Sequence, residues 1–412
     1  MNGEAMSIKA YKYRIYPNQA TTHKLYWVLT RCRELYNAAL DKRTSAYRIA
    51  KKSISAYEQQ HDLVEIKEEL RPEYQEIASH VLQDVISRLN KAFDRFFDRV
   101  KKGQEPGYPR FQGRNRYTSF TYPDGAGWKL DQRTRPADKK GIVRVNLRLS
   151  KIGTVKLHLH RDMEGTIKTL TIKREGEHWY AVFTCEIGTP TTLPISCEAV
   201  GIDLGITHFA ALSTGEFINN PRYFRRGHKT LAKRQAAASR KKRGSHRWKK
   251  AMQAVKKAHR KIRNQRHDFL HKQSRQLVNR YQVIVFEDLQ IANLLKRPKP
   301  KQDEATGQYL PNGATAKGGL NKSISDAGWG IFVLYCTYKA AWVGRTLVKV
   351  NPKYTSQTCP RCGRMRKKTL AERWHSCECG CEMDRDTAAA KIILDVGRKH
   401  LVGGTRPTSE MA

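Results

Sequence analysis

Between Arg222 and Arg266 the chain carries 19 lysines and arginines and no aspartate or glutamate. A segment of this charge cannot sit in an apolar core, because each unpaired cation would lose its hydration without compensation. It must therefore form an outer surface. A solvated helical face or a flexible basic arm is the common fate of a charge run. Solvent-facing helices usually mix both signs, however, and the complete lack of acids points to a helical hairpin over 222–280 that faces nucleic acid. Its expected contact residues are Arg225, Arg226, Lys233, Arg234, Arg240, Lys241, Lys242, Arg243, Arg247, Lys249 and Lys250.

The whole chain leans the same way. Its 412 residues hold 78 Lys+Arg against 38 Asp+Glu, a formal net charge of +40. That excess excludes most small-molecule enzymes and makes nucleic acid the leading partner, with an anionic membrane surface the weaker choice. A hydrophobic share of 39% is too high for a disordered basic tail and suffices for two or three domains. No run approaches the roughly 18 apolar residues of a membrane span, and Met1 to Lys9 lacks the apolar run of a signal peptide. The expected setting is the cytoplasm, close to the nucleoid, with no membrane partner. Met6 is an alternative start to Met1.

Periodicity divides the chain. Residues 8–16 (IKAYKYRIY) alternate like a half-buried strand, and Pro17-Asn18 ends them. Apolar residues then recur at helical spacing, from Leu25 to Leu40 and from Val81 to Val100. Period two returns at Val143–Leu149 and Val155–Leu159 around the turn at Lys151-Ile152-Gly153, and again from Trp179 to Cys185. We expect a β-barrel from 1–17 and 104–190, with a helical block, 18–103, inserted into it. Beyond Pro190, AVGIDLGITHFAALS (199–213) reads as two strands, VIVFED (283–288) as a buried strand and 297–319 as a polar linker. A helix built on Ile331 to Trp342, the strand TLVKV (346–350) and a final helix, 386–399, complete an order that predicts an RNase H-like domain over 196–354 and 384–400. The fold class is multidomain α+β, with a tail at 401–412.

Two constellations carry chemistry. CPRC (359–362) and CEC (377–379), with 14 residues between them, have the spacing of a tetrahedral zinc ribbon over 355–383. Cys359, Cys362, Cys377 and Cys379 are the expected ligands; Gly380-Cys381 leaves Cys381 as an alternative to Cys379, and His375 is a third choice. A closed four-thiolate site has no open position for a substrate, so this Zn²⁺ is structural. Acids are scarce in this half of the chain, yet Asp203 ends one apolar strand, Glu287 ends another, and Asp386 opens the last helix, with Asp384 as its alternative. Each alone could be exposed or cap a helix. Three together suit two hard cations about 4 Å apart, an arrangement for in-line phosphodiester hydrolysis.

GIDLGITHFA, VFEDL, SISDAGWGIF, YTSQTCPRCG and CECGCEMDRD, in that order, closely resemble the TnpB family of transposon-encoded proteins, relatives of type V CRISPR effectors. The N-terminal YRIYPNQATTHKLYWVLTRCRELYNAAL and the later GYPRF extend the resemblance over nearly the whole chain. It implies an RNA-guided DNA endonuclease with a split RuvC-type nuclease domain and two Mg²⁺ held by Asp203, Glu287 and Asp386. It further implies a guide RNA made from the transposon end and a double-stranded DNA target beside a short adjacent motif; the wide spacing of the domains fits a monomer in the complex. The barrel becomes wedge-like and 18–103 the recognition helices. Ala388 departs from the family's usual Asn, and the C-x-C knuckle from its commoner C-x-x-C. Other readings are an RNA-guided DNA-binding protein without useful cleavage and a transposase or transposase accessory protein acting without RNA. The chain lacks the His-hydrophobe-His pair of single-strand transposases.

Overall fold

The alternation at the start of the chain becomes β1 (Ser7–Tyr16), which buries Tyr11, Tyr13 and Ile15 along one face. The structure, a computed structural model, describes residues 7–131, 141–188, 192–369 and 372–402. The chain divides into two compact units, Met1–Thr189 and Pro190–Ala412.

In the first unit Asn18 caps α1 (Gln19–Ala50) by accepting the Thr21 N–H at 2.8 Å. The short α2 (Ala56–His61) and α3 (Leu63–Glu65) lead to α4 (Ser79–Lys101), which buries Val81, Leu82, Val85, Ile86 and Leu89. Then come β2 (Ser119–Tyr122), β3 (Trp128–Leu130), β4 (Val143–Leu149), β5 (Gly153–Leu159), β6 (Thr166–Glu175) and β7 (His178–Ile187). With β1 they form an antiparallel sheet in the order β2-β6-β7-β1-β5-β4-β3. The sheet curls nearly closed: the Tyr122 hydroxyl, on one edge strand, donates to the Ser150 carbonyl beyond β4 at 3.3 Å. One hydrophobic core runs through helices and sheet, joining Leu25 and Val85 to Phe120, Leu157 and Phe183.

The second unit contains β8 (Ala199–Leu204), β9 (His208–Leu212), β10 (Phe217–Asn219), α5 (Tyr223–Ser239), α6 (His246–Arg280) and β11 (Val283–Glu287). These are followed by α7 (Ile291–Leu294), β12 (Lys301–Gln302), β13 (Tyr309–Leu310), α8 (Ala314–Ala327), α9 (Trp329–Trp342) and β14 (Thr346–Val350). The chain ends in β15 (Trp374–Ser376), β16 (Glu382–Asp384) and α10 (Arg385–Val402). The main sheet has the order β10-β9-β8-β11-β14, with β8, β11 and β14 parallel and β9 antiparallel to both neighbours. Parallel strands need a long crossover, and α5 with α6 supplies the one between β8 and β11. Pleating sorts the side chains. Val200, Ile202, Ile284 and Phe286 join Leu270 and Leu277 of α6 and Phe332 of α9 on one face. Val285, Val348 and Val350 meet Ile393 of α10 on the other.

Two expectations need correction. Residues 297–319, read as a linker, hold the β12-β13 ribbon and the first turns of α8. Gly318 and Gly319 lie inside that helix and blank its apolar stripe, so the sequence carries little helical signal there. The last helix continues through Val402, past the expected end, and 403–412, like Met1 and Met6, lies outside the described residues. Among the described residues no helix is long and apolar enough to cross a membrane.

Candidate nuclease site and metal centre

On β8 the pleat that sends Val200 and Ile202 into the α6/α9 core turns Gly201 and Asp203 toward α10. Gly201 lies beside Val285 and Ile202 beside Phe286, so the register brings Glu287 of β11 alongside Asp203. Helix α10 reaches these strands because small residues admit it. A Cβ on Gly201 would stand 2.1 Å from the Ala390 carbonyl oxygen, and one on Gly397 would stand 2.5 Å from Val285. Ala388, Ala389 and Ala390 are all buried there. The first turn of α10 thus carries Asp386 to the ends of β8 and β11.

Glu287 and Asp386 both lie near enough to Asp203 for their charges to act on its carboxyl. Burial pushes the Asp203 carboxyl up to about 8, and the charges of Glu287 and Asp386 push the same way against an opposing Arg385. Burial also raises Glu287, partly offset by a hydrogen bond that its Oε1 accepts from the buried Thr355 hydroxyl. Asp386 is raised by burial and by Asp384, while Arg373, Arg385 and His208 oppose. Asp384 has a separate job: its Oδ1 accepts the N–H groups of Asp386 at 2.9 Å and Thr387 at 3.1 Å, capping α10. Sequence reasoning missed Thr355 and His208. Thr355 stands just before the cysteine cluster, and no periodicity or motif spacing marks it as a partner of Glu287.

The cysteine cluster is built from two knuckles. In each, a glycine in the left-handed region closes the turn: Gly363 donates to the Cys359 carbonyl at 3.0 Å, and Gly380 to that of Cys377 at 2.9 Å. The ligand atoms of Cys359, Cys362, Cys377 and Cys379 all lie within 4.8 Å of one another. The Cys359–Cys379 and Cys362–Cys377 sulfur pairs are each 3.6 Å apart. Cys381 is buried and groups instead with Cys359 and His375. Burial pushes the Cys359 thiol up, but N–H groups of Cys362 and Arg361 and contacts with His375 and Cys362 bring it down to about 5, a thiolate suited to a metal.

The acid-free segment folds as two packed helices. Leu231 and Ala238 of α5 meet Val255 and Ala258 of α6, and the Arg234 Nη1 donates to the Ala254 carbonyl at 3.1 Å. Arg234 and Lys241 are half-buried, whereas Arg225, Arg226, Lys233, Arg240, Lys242, Arg243, Arg247, Lys249 and Lys250 are exposed. Among the described residues none of these eleven forms an ion pair at contact distance.

A family model described as "Probable transposase" matches residues 182–297, and one described as "Cas12f1-like, TNB domain" matches 329–393. A third, "Helix-turn-helix domain", matches 6–52, although the chain there forms β1 and a single uninterrupted α1. The protein named "Putative RNA-guided DNA endonuclease" of Streptomyces pristinaespiralis is 35% identical over 94% of this chain and 89% of its own length. "Putative RNA-guided DNA endonuclease InsQ" of Escherichia coli (strain K12) is 29% identical over 96% and 94%. "TnpB-like protein L79" of Acanthamoeba polyphaga mimivirus is 30% identical over 38% of this chain and 27% of its own. Two solved structures share the fold. "Structure of the mini-RNA-guided endonuclease CRISPR-Cas_phi3" superposes with a TM-score of 0.53 at 10% identity, covering 98% of this chain and 93% of that one. "Cryo-EM structure of the Cas12f1-sgRNA-target DNA complex" gives 0.50 at 12%, covering 94% and 98%. With a relative this similar along nearly its whole length, the chain belongs to the TnpB family.

Proposed function

We propose that the chain is an RNA-guided DNA endonuclease of a transposon, with a RuvC-type nuclease domain in its second unit. The observation that carries this reading is the convergence of Asp203, Glu287 and Asp386 at the ends of two adjacent parallel strands and one helix. The donor set fits hard divalent cations: the carboxyls are all oxygen ligands, burial raises each of them, and at Asp203 the charges of Glu287 and Asp386 push the same way. Two Mg²⁺ ions, when bound, would supply an activated water and stabilise the charge developing on the phosphate. The chain's own residues do the positioning. Thr355 orients Glu287 through a hydrogen bond, the Asp384 cap fixes the first turn of α10, and Gly201 with Ala390 sets how closely Asp386 approaches Asp203.

The names of the relatives support RNA guidance and DNA cleavage. In this reading a guide RNA from the transposon end pairs with the target, and the barrel and recognition helices read a short adjacent motif on double-stranded DNA. The α5/α6 surface holds nucleic acid phosphates. Cys359, Cys362, Cys377 and Cys379 hold a structural Zn²⁺, with Cys381 outside the ligand set. The protein works as a monomer on its RNA in the cytoplasm. A second reading, guided binding with weak cleavage, draws on Ala388, buried where the family carries an amide.

Single substitutions test the site. Asp203→Ala, Glu287→Ala and Asp386→Ala should each abolish Mg²⁺-dependent cleavage while guided DNA binding stays nearly intact, because binding rests on many phosphate contacts and base pairs. Asp384→Ala should only weaken cleavage through loss of the cap. Cleavage by Asp203→Ala above a few per cent of the parent rate would refute the carboxylate assignment.

A further inference from the structure

At the start of α1 the end of β1, the β6-β7 turn and the first helical turns enclose a cleft of about 270 Å³. Its walls include Arg14, Tyr16, Thr22, Tyr26, Glu177 and Trp179. The volume is below that of a drug-sized pocket and suits a single planar ring system. The aromatic walls are partly open: Tyr16 and Tyr26 each keep 39% of their surface exposed. Both rings are braced. Trp179 meets Tyr26 edge-on at 5.3 Å and the Arg174 guanidinium lies 5.1 Å from the same ring, while Arg14 lies 4.8 Å from the ring of Tyr16. Arg14 is itself tied to the His178 Nδ1 at 2.9 Å. Rings held by cations and left partly open are the elements from which stacking platforms for unpaired bases are made.

Glu177 decides what kind of group fits. It lies on the same cleft as two arginine-braced tyrosines, yet among the described residues it forms no ion pair. A carboxylate there repels a phosphate but accepts a hydrogen bond from a sugar hydroxyl. RNA offers the 2′-hydroxyl for this and DNA does not.

We propose that this cleft takes up one unpaired nucleotide of RNA, its base packed against Tyr16 and Tyr26 and its ribose 2′-hydroxyl donating to Glu177. The inference rests on the RNA-guided reading and names a contact point for the RNA in the first unit. Thr22, one helical turn before Tyr26, offers a hydroxyl to the edge of the base.

The test uses the full chain with ten-base oligo(U) and oligo(dU) at about 0.5 M salt, where phosphate contacts are largely screened. The wild type should bind oligo(U) more tightly than oligo(dU), and ultraviolet crosslinking should join oligo(U) to peptides containing Tyr16 or Tyr26. Tyr26→Ala should weaken oligo(U) binding about tenfold, within the range for one lost stacking contact, and Tyr26→Phe should restore it. Tyr16→Ala, at the exposed end of a strand, provides a second truncation should Tyr26→Ala misfold. Glu177→Ala should lower oligo(U) affinity to the oligo(dU) level and leave oligo(dU) unchanged. Equal binding of both oligomers with no effect of Glu177→Ala would show that the cleft does not read the ribose and overturn the proposal. Unchanged oligo(U) affinity in folded Tyr26→Ala and Tyr16→Ala would also overturn it. If the wild type then still carried a discrete RNA, the guided reading would survive. Conversely, oligo(U) crosslinked in the cleft of a chain that carries no RNA of its own would uphold the cleft and refute the guided reading.

Discussion

Asp203 is placed where its charge is unwelcome, so folding and proton binding at this carboxyl are linked. Its folded-state carboxyl is raised from 3.8 to about 8, so between those values the folded chain binds a proton that the unfolded chain releases. Without a cation, stability should therefore fall as pH rises from about 4 to about 8. Asp203→Asn removes the penalty. In EDTA at pH 8 this variant should be more stable than the parent by roughly 1–3 kcal/mol, with the gap closing toward pH 4, while cleavage is lost. Mg²⁺ should raise the melting temperature of the parent more at pH 8 than at pH 5 and do little to the variant. Calorimetric melts across that range check both; a gap independent of pH would mean that Asp203 is not buried among like charges. The places of Asp203 and Glu287 were legible in the sequence because each ends an apolar strand in an acid-poor region. Which of Asp386 and Asp384 caps the last helix was not, since residues two apart separate only when the helix start is fixed. Thr355 reaches Glu287 from a loop, beyond the reach of any periodic pattern.

Among the elements, strands that alternate were readable and helices without an apolar stripe were not. β1, β4, β5 and β8 stand where period two or short apolar runs put them, whereas α8 escaped because Gly318 and Gly319 interrupt it. The cysteine knuckles were legible from spacing alone; the division of labour between Cys379 and Cys381 depended on the turn at Gly380. Cys362→Ser should lose one zinc per chain, loosen 355–383 and lower cleavage indirectly, because α10 starts directly after β16. Cys381→Ser should retain the zinc, as metal analysis of the two variants would show. Zinc lost from Cys381→Ser and kept in Cys362→Ser would reverse the ligand assignment. For the α5/α6 hairpin, changing Arg240, Lys241, Lys242 and Arg243 together to Gln should weaken binding to all sequences alike. The log–log salt slope should become shallower by about two to four, if most of these residues touch phosphates. A solvated arm predicts no change in affinity or slope.

At the scale of the molecule, a +40 chain that exposes a strongly cationic hairpin has the electrostatics of half a complex. Composition alone foretold a polyanion. It could not foretell that a seven-stranded sheet and its inserted helices share one core, because that depends on contacts between elements more than a hundred positions apart, such as α1 and β5. If RNA held by this chain chooses where DNA is cut, rewriting the RNA must move the cut. The most direct measurement is to supply the protein with an RNA whose guide segment has been rewritten and to map the break in a plasmid carrying both the old and the new target, each beside the adjacent motif. Mg²⁺-dependent cleavage should move to the new target and be lost in Asp203→Ala. Cleavage that stays at the old site, or proceeds equally without RNA, would contradict RNA guidance.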